Sequence, residues 1–75
     1  MRIEIRFETN RLAEEFINLY RGPRGISYHP NYQGQVETDS ILGSGQLVVY
    51  LDRSKVVDFA RLGQDIMMFR GRIVG

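Results

Sequence analysis

Charged and apolar residues alternate without a break from Arg2 to Glu8, with Ile3, Ile5 and Phe7 between Arg2, Glu4, Arg6 and Glu8. A strand has a side-chain period of two, so the segment predicts a strand with one face in the core and the other in water. Beyond Thr9 the period changes. Leu12, Ala13, Phe16, Ile17, Leu19 and Tyr20 recur at spacings of three and four, with Glu14, Glu15 and Asn18 opposite. This predicts an amphipathic helix from Arg11 to about Arg21, with Asn10 as its N-cap, Gly22 at the left-handed position after its end and Pro23 forbidding continuation.

The pattern loosens from Arg24 to Gln35. Ile26-Ser27-Tyr28 alternates as a short strand would, and His29-Pro30-Asn31 reads as a turn. Val36 to Leu42 is weakly strand-like, with Glu37 and Asp39 directed to water. Gly43-Ser44-Gly45 is a turn into the β-branched and aromatic run Gln46 to Leu51, and the two runs predict a hairpin whose second strand is central in the sheet. Asp52 to Ser54 offers caps for a second helix reaching about Leu62, with Val56, Val57, Phe59 and Ala60 inward and Gly63 as its C-cap. Ile66 to Val74 then reads as the last strand, with Gly71 marking a bulge or bend. An alternative carries this helix through to Met68, since an interior glycine costs only about 1 kcal/mol.

The order β-α-β-β-α-β predicts an α+β fold, a ferredoxin-like βαββαβ sandwich with an antiparallel sheet and both helices on one face. The first and third strands would be central. The open face would combine the charge ladder of the first strand with Val48, Tyr50 and large apolar groups of the last strand, a mixture that suits a contact surface.

Length and charge narrow the function classes. Seventy-five residues are expected to form a single compact domain, 1–75, and a chain this short buries only about 60–65% of its unfolded surface. There is no cysteine and one histidine, which removes disulfides, thiolate nucleophiles and cysteine-based zinc sites. No metal and no cofactor is expected. The alternating charge at the start is unlike a signal peptide, and the longest apolar run, Leu47 to Leu51, is far below the roughly 20 residues of a membrane-spanning helix. A cytoplasmic protein is the expectation. Net charge is +1, but nine of the ten cations are arginine and they are unevenly placed. No acid lies between Glu15 and Glu37, where Arg21 and Arg24 stand, and none follows Asp65, where Arg70 and Arg72 stand. Arginine favours planar, bidentate contacts.

The loop from Tyr20 to Tyr32 combines Arg21, Arg24, Tyr28, His29 and Tyr32, which reads either as a helix cap and solvated connection whose tyrosine rings cover the core edge or as a contact loop suited to protein and, less well, to unpaired nucleic-acid bases. Tyr50 on the open face, and Arg70 and Arg72 near the last strand, complete the candidate partner-binding set. Arg70 and Arg72 would either grip a carboxylate or phosphate or protect a sheet edge. His29 has Ser27 nearby but no triad, so no catalytic residue is assigned and an enzyme is not expected. Gly43-Ser44-Gly45 precedes a strand, not a helix, and does not make a phosphate loop.

The leading expectation is therefore a small macromolecule-binding protein that inhibits or regulates a protein partner, in the manner of phage-encoded inhibitors of host systems. The alternative is binding of RNA or single-stranded nucleic acid through residues 20–32. A homodimer joined through the open sheet face is a further expectation. No membrane partner is expected.

Overall fold

The computed structural model describes residues 1–21 and 29–74. Four strands form one antiparallel sheet, β1 (Arg2–Phe7), β2 (Glu37–Ser40), β3 (Leu47–Asp52) and β4 (Gly71–Val74), in the order β2-β3-β1-β4. Helix α1 (Asn10–Arg21) follows β1, and helix α2 (Phe59–Met68) follows β3 after a single 3-10 turn at Arg53–Lys55. This is the ferredoxin-like βαββαβ order, with β1 and β3 in the centre. No helix among the described residues is long and apolar enough to cross a membrane.

The alternation of β1 is realised as read. Ile3, Ile5 and Phe7 are buried beneath the helices, while Arg2, Glu4 and Arg6 lie on the open face. Directly paired residues share a face, so Val49 and Leu51 of β3 join the core opposite Ile5 and Ile3. On α1 the stripe Ala13, Phe16, Ile17 and Tyr20 is buried against them. Phe7 and Phe16 rings lie 5.2 Å apart, and Phe16 stacks on Tyr20 at 4.6 Å.

Thr9, not Asn10, caps α1: its hydroxyl accepts from the Leu12 amide at 3.2 Å. Either residue type can cap. Asn10 is drawn elsewhere, because its amide donates to the Gly45 carbonyl at 3.0 Å and accepts from the Leu47 amide at 2.9 Å. It thus clasps the β2–β3 turn, in which Gly43 and Gly45 hold the positive φ angles, +93° and +69°, that glycine adopts without strain.

The second helix departs from the expectation. Asp52 caps only the 3-10 turn, accepting from the Ser54 amide at 3.0 Å. Val56 is then extended and Val57 bends out of the helical path: Tyr32 bridges Val56, and the Val57 amide donates to the Asn31 carbonyl at 2.9 Å. The helix restarts after Asp58, whose carboxylate accepts from the Arg61 amide. It runs through Gly63 to Met68, so Gly63 is interior and not a cap. The buried residues are Leu62, Asp65 and Ile66, whereas Val57, Phe59 and Ala60 are exposed. The glycine penalty of about 1 kcal/mol is smaller than the roughly 1.5–3 kcal/mol gained by burying each of Leu62 and Ile66. Consequently Ile66 to Met68 do not form strand, and the apolar groups expected on the open face from this segment are absent there. Met67 and Met68 are exposed on α2 instead.

The last strand starts at Gly71, which pairs directly with Phe7 and marks neither a bulge nor a bend. A Cβ at this position would stand 2.5 Å from the Phe7 ring and 2.9 Å from the Ile66 Cγ2. Gly71→Ala is expected to destabilise the fold by about 1–3 kcal/mol through overpacking, seen as a lower urea midpoint with an unchanged m-value.

Candidate functional site

The residues singled out between Tyr20 and Tyr32 divide sharply. Arg24 and Tyr28, with Gly22, Pro23 and the expected strand Ile26-Ser27-Tyr28, lie outside the described residues. Tyr32 is fully buried in the core, and His29 is also buried. Neither offers a ring to a partner, which corrects the surface role that the loop composition suggested. Apolar burial and hydrogen bonding explain the difference. The Tyr32 hydroxyl donates to the Gln35 carbonyl at 2.8 Å and accepts from the Asp52 amide at 2.9 Å, so the phenol is satisfied inside the fold. The His29 ring stacks on Tyr20 at 4.1 Å with an interplanar angle of 11°, and its Nδ1 accepts from the Asn31 amide at 3.1 Å.

Around Tyr20 these groups form a buried polar network. The Tyr20 hydroxyl donates to Asp65 Oδ2 at 2.6 Å and accepts from Asn31 Nδ2 at 3.3 Å. The Asn31 side chain also holds Asp58 at both ends, donating to its carbonyl at 2.9 Å and accepting from its amide at 2.7 Å. Arg61 stands 3.8 Å from Asp65. Burial raises the Tyr20 pKa far above the ordinary tyrosine range. It also lowers that of His29, with Asp65 opposing and Arg61 reinforcing the shift. These directions describe groups held neutral for stability. The network joins α1, residues 29–31 and the start and middle of α2. Asn31 and Asp65 were not candidates in the sequence. The one available signal is Asp65 standing on the same helical face as Leu62.

Arg21 is half-buried and its Nη2 donates to the Val36 carbonyl at 3.4 Å. Tyr50 is on the open face, where the Arg2 guanidinium covers its ring at 4.1 Å. Val48 is also on the open face, yet only 2% exposed, shielded among charged neighbours. Among the described residues the open face is thus a checkerboard of charges and half-covered side chains.

Arg70 and Arg72 do converge with a third cation. At the end of the sheet where β1 leaves and β4 enters, a depression of about 660 Å³ is lined by Arg6, Glu8, Met67, Arg70 and Arg72. Two of these arginines occupy costly positions. Arg72 is directly opposite Arg6 across the β1–β4 pair, and like charges so placed repel. Arg70 has φ +59°, a left-handed conformation at the end of α2 where glycine is the usual residue. Glu4 holds the Arg6 Nε at 2.9 Å, and Glu8 stands 3.9 Å from Arg70. Arg72 has no ion-pair partner among the described residues. The arrangement can hold carboxylate or other anionic groups through charge-assisted hydrogen bonds. Among the described residues no group of three or more His, Asp or Glu could hold a metal ion.

Comparison of the chain with protein-family models, with curated proteins and with solved structures finds no match.

The lowered His29 pKa sets a pH dependence. Above 6.5, the ordinary value, folded and unfolded chains are both neutral at this residue and its contribution is complete. As pH falls through 6.5 the unfolded chain takes up a proton that the folded chain resists, so stability is lost on acidification. The single histidine makes the check direct: its NMR titration midpoint is expected below 6.5, with a thermal midpoint that falls between pH 7.5 and 5.5. A midpoint at or above 6.5 contradicts the buried stack.

Proposed function

We propose that this protein binds another macromolecule and thereby inhibits or regulates it, and that the contact is made by the Arg6–Arg70–Arg72 depression on carboxylates of a protein partner. The observation that carries this reading is the convergence of two destabilising arginine placements on one depression. A left-handed arginine costs about 1 kcal/mol relative to glycine, and the Arg6–Arg72 opposition adds repulsion. Such costs are characteristic of residues retained for what they contact. Met67, 75% exposed, stands on the rim and adds an adaptable apolar contact beside the cations. Arginine and methionine are both enriched in protein–protein interfaces.

Nucleic acid is the weaker reading. Phosphates would suit the arginines, but recognition of unpaired bases needs free aromatic faces. Among the described residues of the loop and the open face, Tyr20, His29 and Tyr32 are buried, and Tyr50 lies under Arg2.

Substitutions separate function from fold. Arg70→Gly is expected to raise stability by about 1 kcal/mol and yet weaken binding of a glutamate-rich peptide, measured by fluorescence anisotropy at low salt. Arg72→Ala is expected to weaken the same binding by about tenfold, the loss of one charge-assisted contact. An oligonucleotide of matched charge that binds more tightly than the peptide would overturn the choice of partner. Unchanged peptide affinity in both variants would overturn the site.

A further inference from the structure

The two outer strands of the sheet carry opposite charge. On the open face β2 presents Glu37 and Asp39, and β4 presents Arg72, with Arg70 just before it. No described segment pairs with the outer side of either strand. Neither Glu37 nor Asp39 has an ion-pair partner among the described residues. All four residues of β2, Glu37, Thr38, Asp39 and Ser40, are exposed, and on β4 Ile73 is 41% exposed on the helix side. Free edges of this kind are templates for another strand.

We infer that this chain self-associates head to tail, the β2 edge of one copy pairing with the β4 edge of the next to continue the sheet. Strand direction permits it. β4 and β3 both run opposite to β1, and β2 runs opposite to β3, so β2 and β4 are antiparallel to each other. A second copy placed beside the first in the same orientation therefore continues an all-antiparallel sheet with both helix layers on one side.

The register follows from equal strand lengths. Both strands have four residues, and full overlap sets Asp39 against Arg72, Thr38 against Ile73, Glu37 against Val74 and Ser40 against Gly71. Faces agree in this register. Asp39 and Arg72 are both on the open side, where Glu37 lies diagonally within reach of Arg72, and Thr38 and Ile73 are both on the helix side. Like edges are disfavoured, because β4 against β4 brings arginines together and β2 against β2 brings acids together. The charges that guard each edge against its own kind thus select the other edge. The contact is heterologous and extends past two copies. It goes beyond binding of a separate partner, and the two uses compete for Arg72.

Absence of native cysteine allows a direct test. In one chain Thr38 and Ile73 are on opposite edges, three strand spacings or about 14 Å apart, beyond the roughly 7 Å limit for a disulfide. The double variant Thr38→Cys/Ile73→Cys, oxidised at low salt, is expected to give a ladder rising by one chain mass per step. A mixture of the two single variants is expected to stop at a heterodimer that neither forms alone to a comparable extent. A second measurement uses charge. Arg72→Asp makes both edges acidic, and Glu37→Arg/Asp39→Arg makes both basic. Each variant, with its fold verified by circular dichroism, is expected to sediment as monomer, and their mixture to associate. The wild type is expected to exceed dimer mass at low salt and to return to monomer at high salt. A wild type that stays monomeric at low salt, a disulfide ladder unaffected by Arg72→Asp, or folded charge variants that fail to associate when mixed would each overturn the inference. Retained peptide binding by such a monomeric wild type would leave the proposed partner contact standing.

Discussion

The Tyr20 hydroxyl, donating to Asp65 at 2.6 Å and accepting from Asn31, holds together three segments that share no regular hydrogen bonding. α1 supplies the tyrosine, the connection before β2 supplies Asn31 and His29, and α2 supplies Asp65. A buried phenol without a partner would cost on the order of 1–3 kcal/mol, and a buried carboxylate more, so each group makes the others necessary. The same bond explains the position of α2. Asp65 can be buried only if the helix extends past Gly63, and only then do Leu62 and Ile66 reach the core beside Phe16 and Phe7. The β1–β4 end of the sheet, and the arginines on it, depend on where that helix stops.

The sequence carries the first half of this fold clearly and the second half poorly, for a physical reason. β1 has one wet and one dry face, so its alternation is visible in single residues. α1 has a clean apolar stripe. The hairpin has its glycine turn and a strand of β-branched residues. The stretch from Asp52 to Phe69 has competing signals. Two cap-like groups, Asp52 and Asp58, are both used, one for a 3-10 turn and one for the helix. The choice between them is made by Asn31 and Tyr32, more than twenty residues earlier, which bond to Val57 and bridge Val56 outside any helix. No local pattern contains that information.

The candidate site is legible to a similar degree. Arg70 and Arg72 stand out as a cation pair after the last acid. Their meeting with Arg6 requires the β1–β4 register, which follows only once Gly71 is known to pack on Phe7. His29 and Tyr32 show the opposite failure: ring-bearing, hydrogen-bonding residues in a connecting segment resemble a contact loop. Here they supply the stacking surface and polar ends of an interior network. Composition cannot distinguish the two, since both need an apolar body with a polar tip.

A temporal consequence follows from the place of β1. It is the first of the four strands in sequence and a central one, and its second neighbour, β4, is the last of the four to be synthesised. Asn10 reaches forward 37 residues to Leu47, and Tyr20 reaches 45 to Asp65. Local structure can form early, but the interior cannot close until α2 and β4 have been synthesised and are free to dock. Loop-closure entropy must be overcome before those distant contacts compensate it. Until then one flank of β1 lies bare, and during that interval the nascent chain is most exposed to wrong pairings.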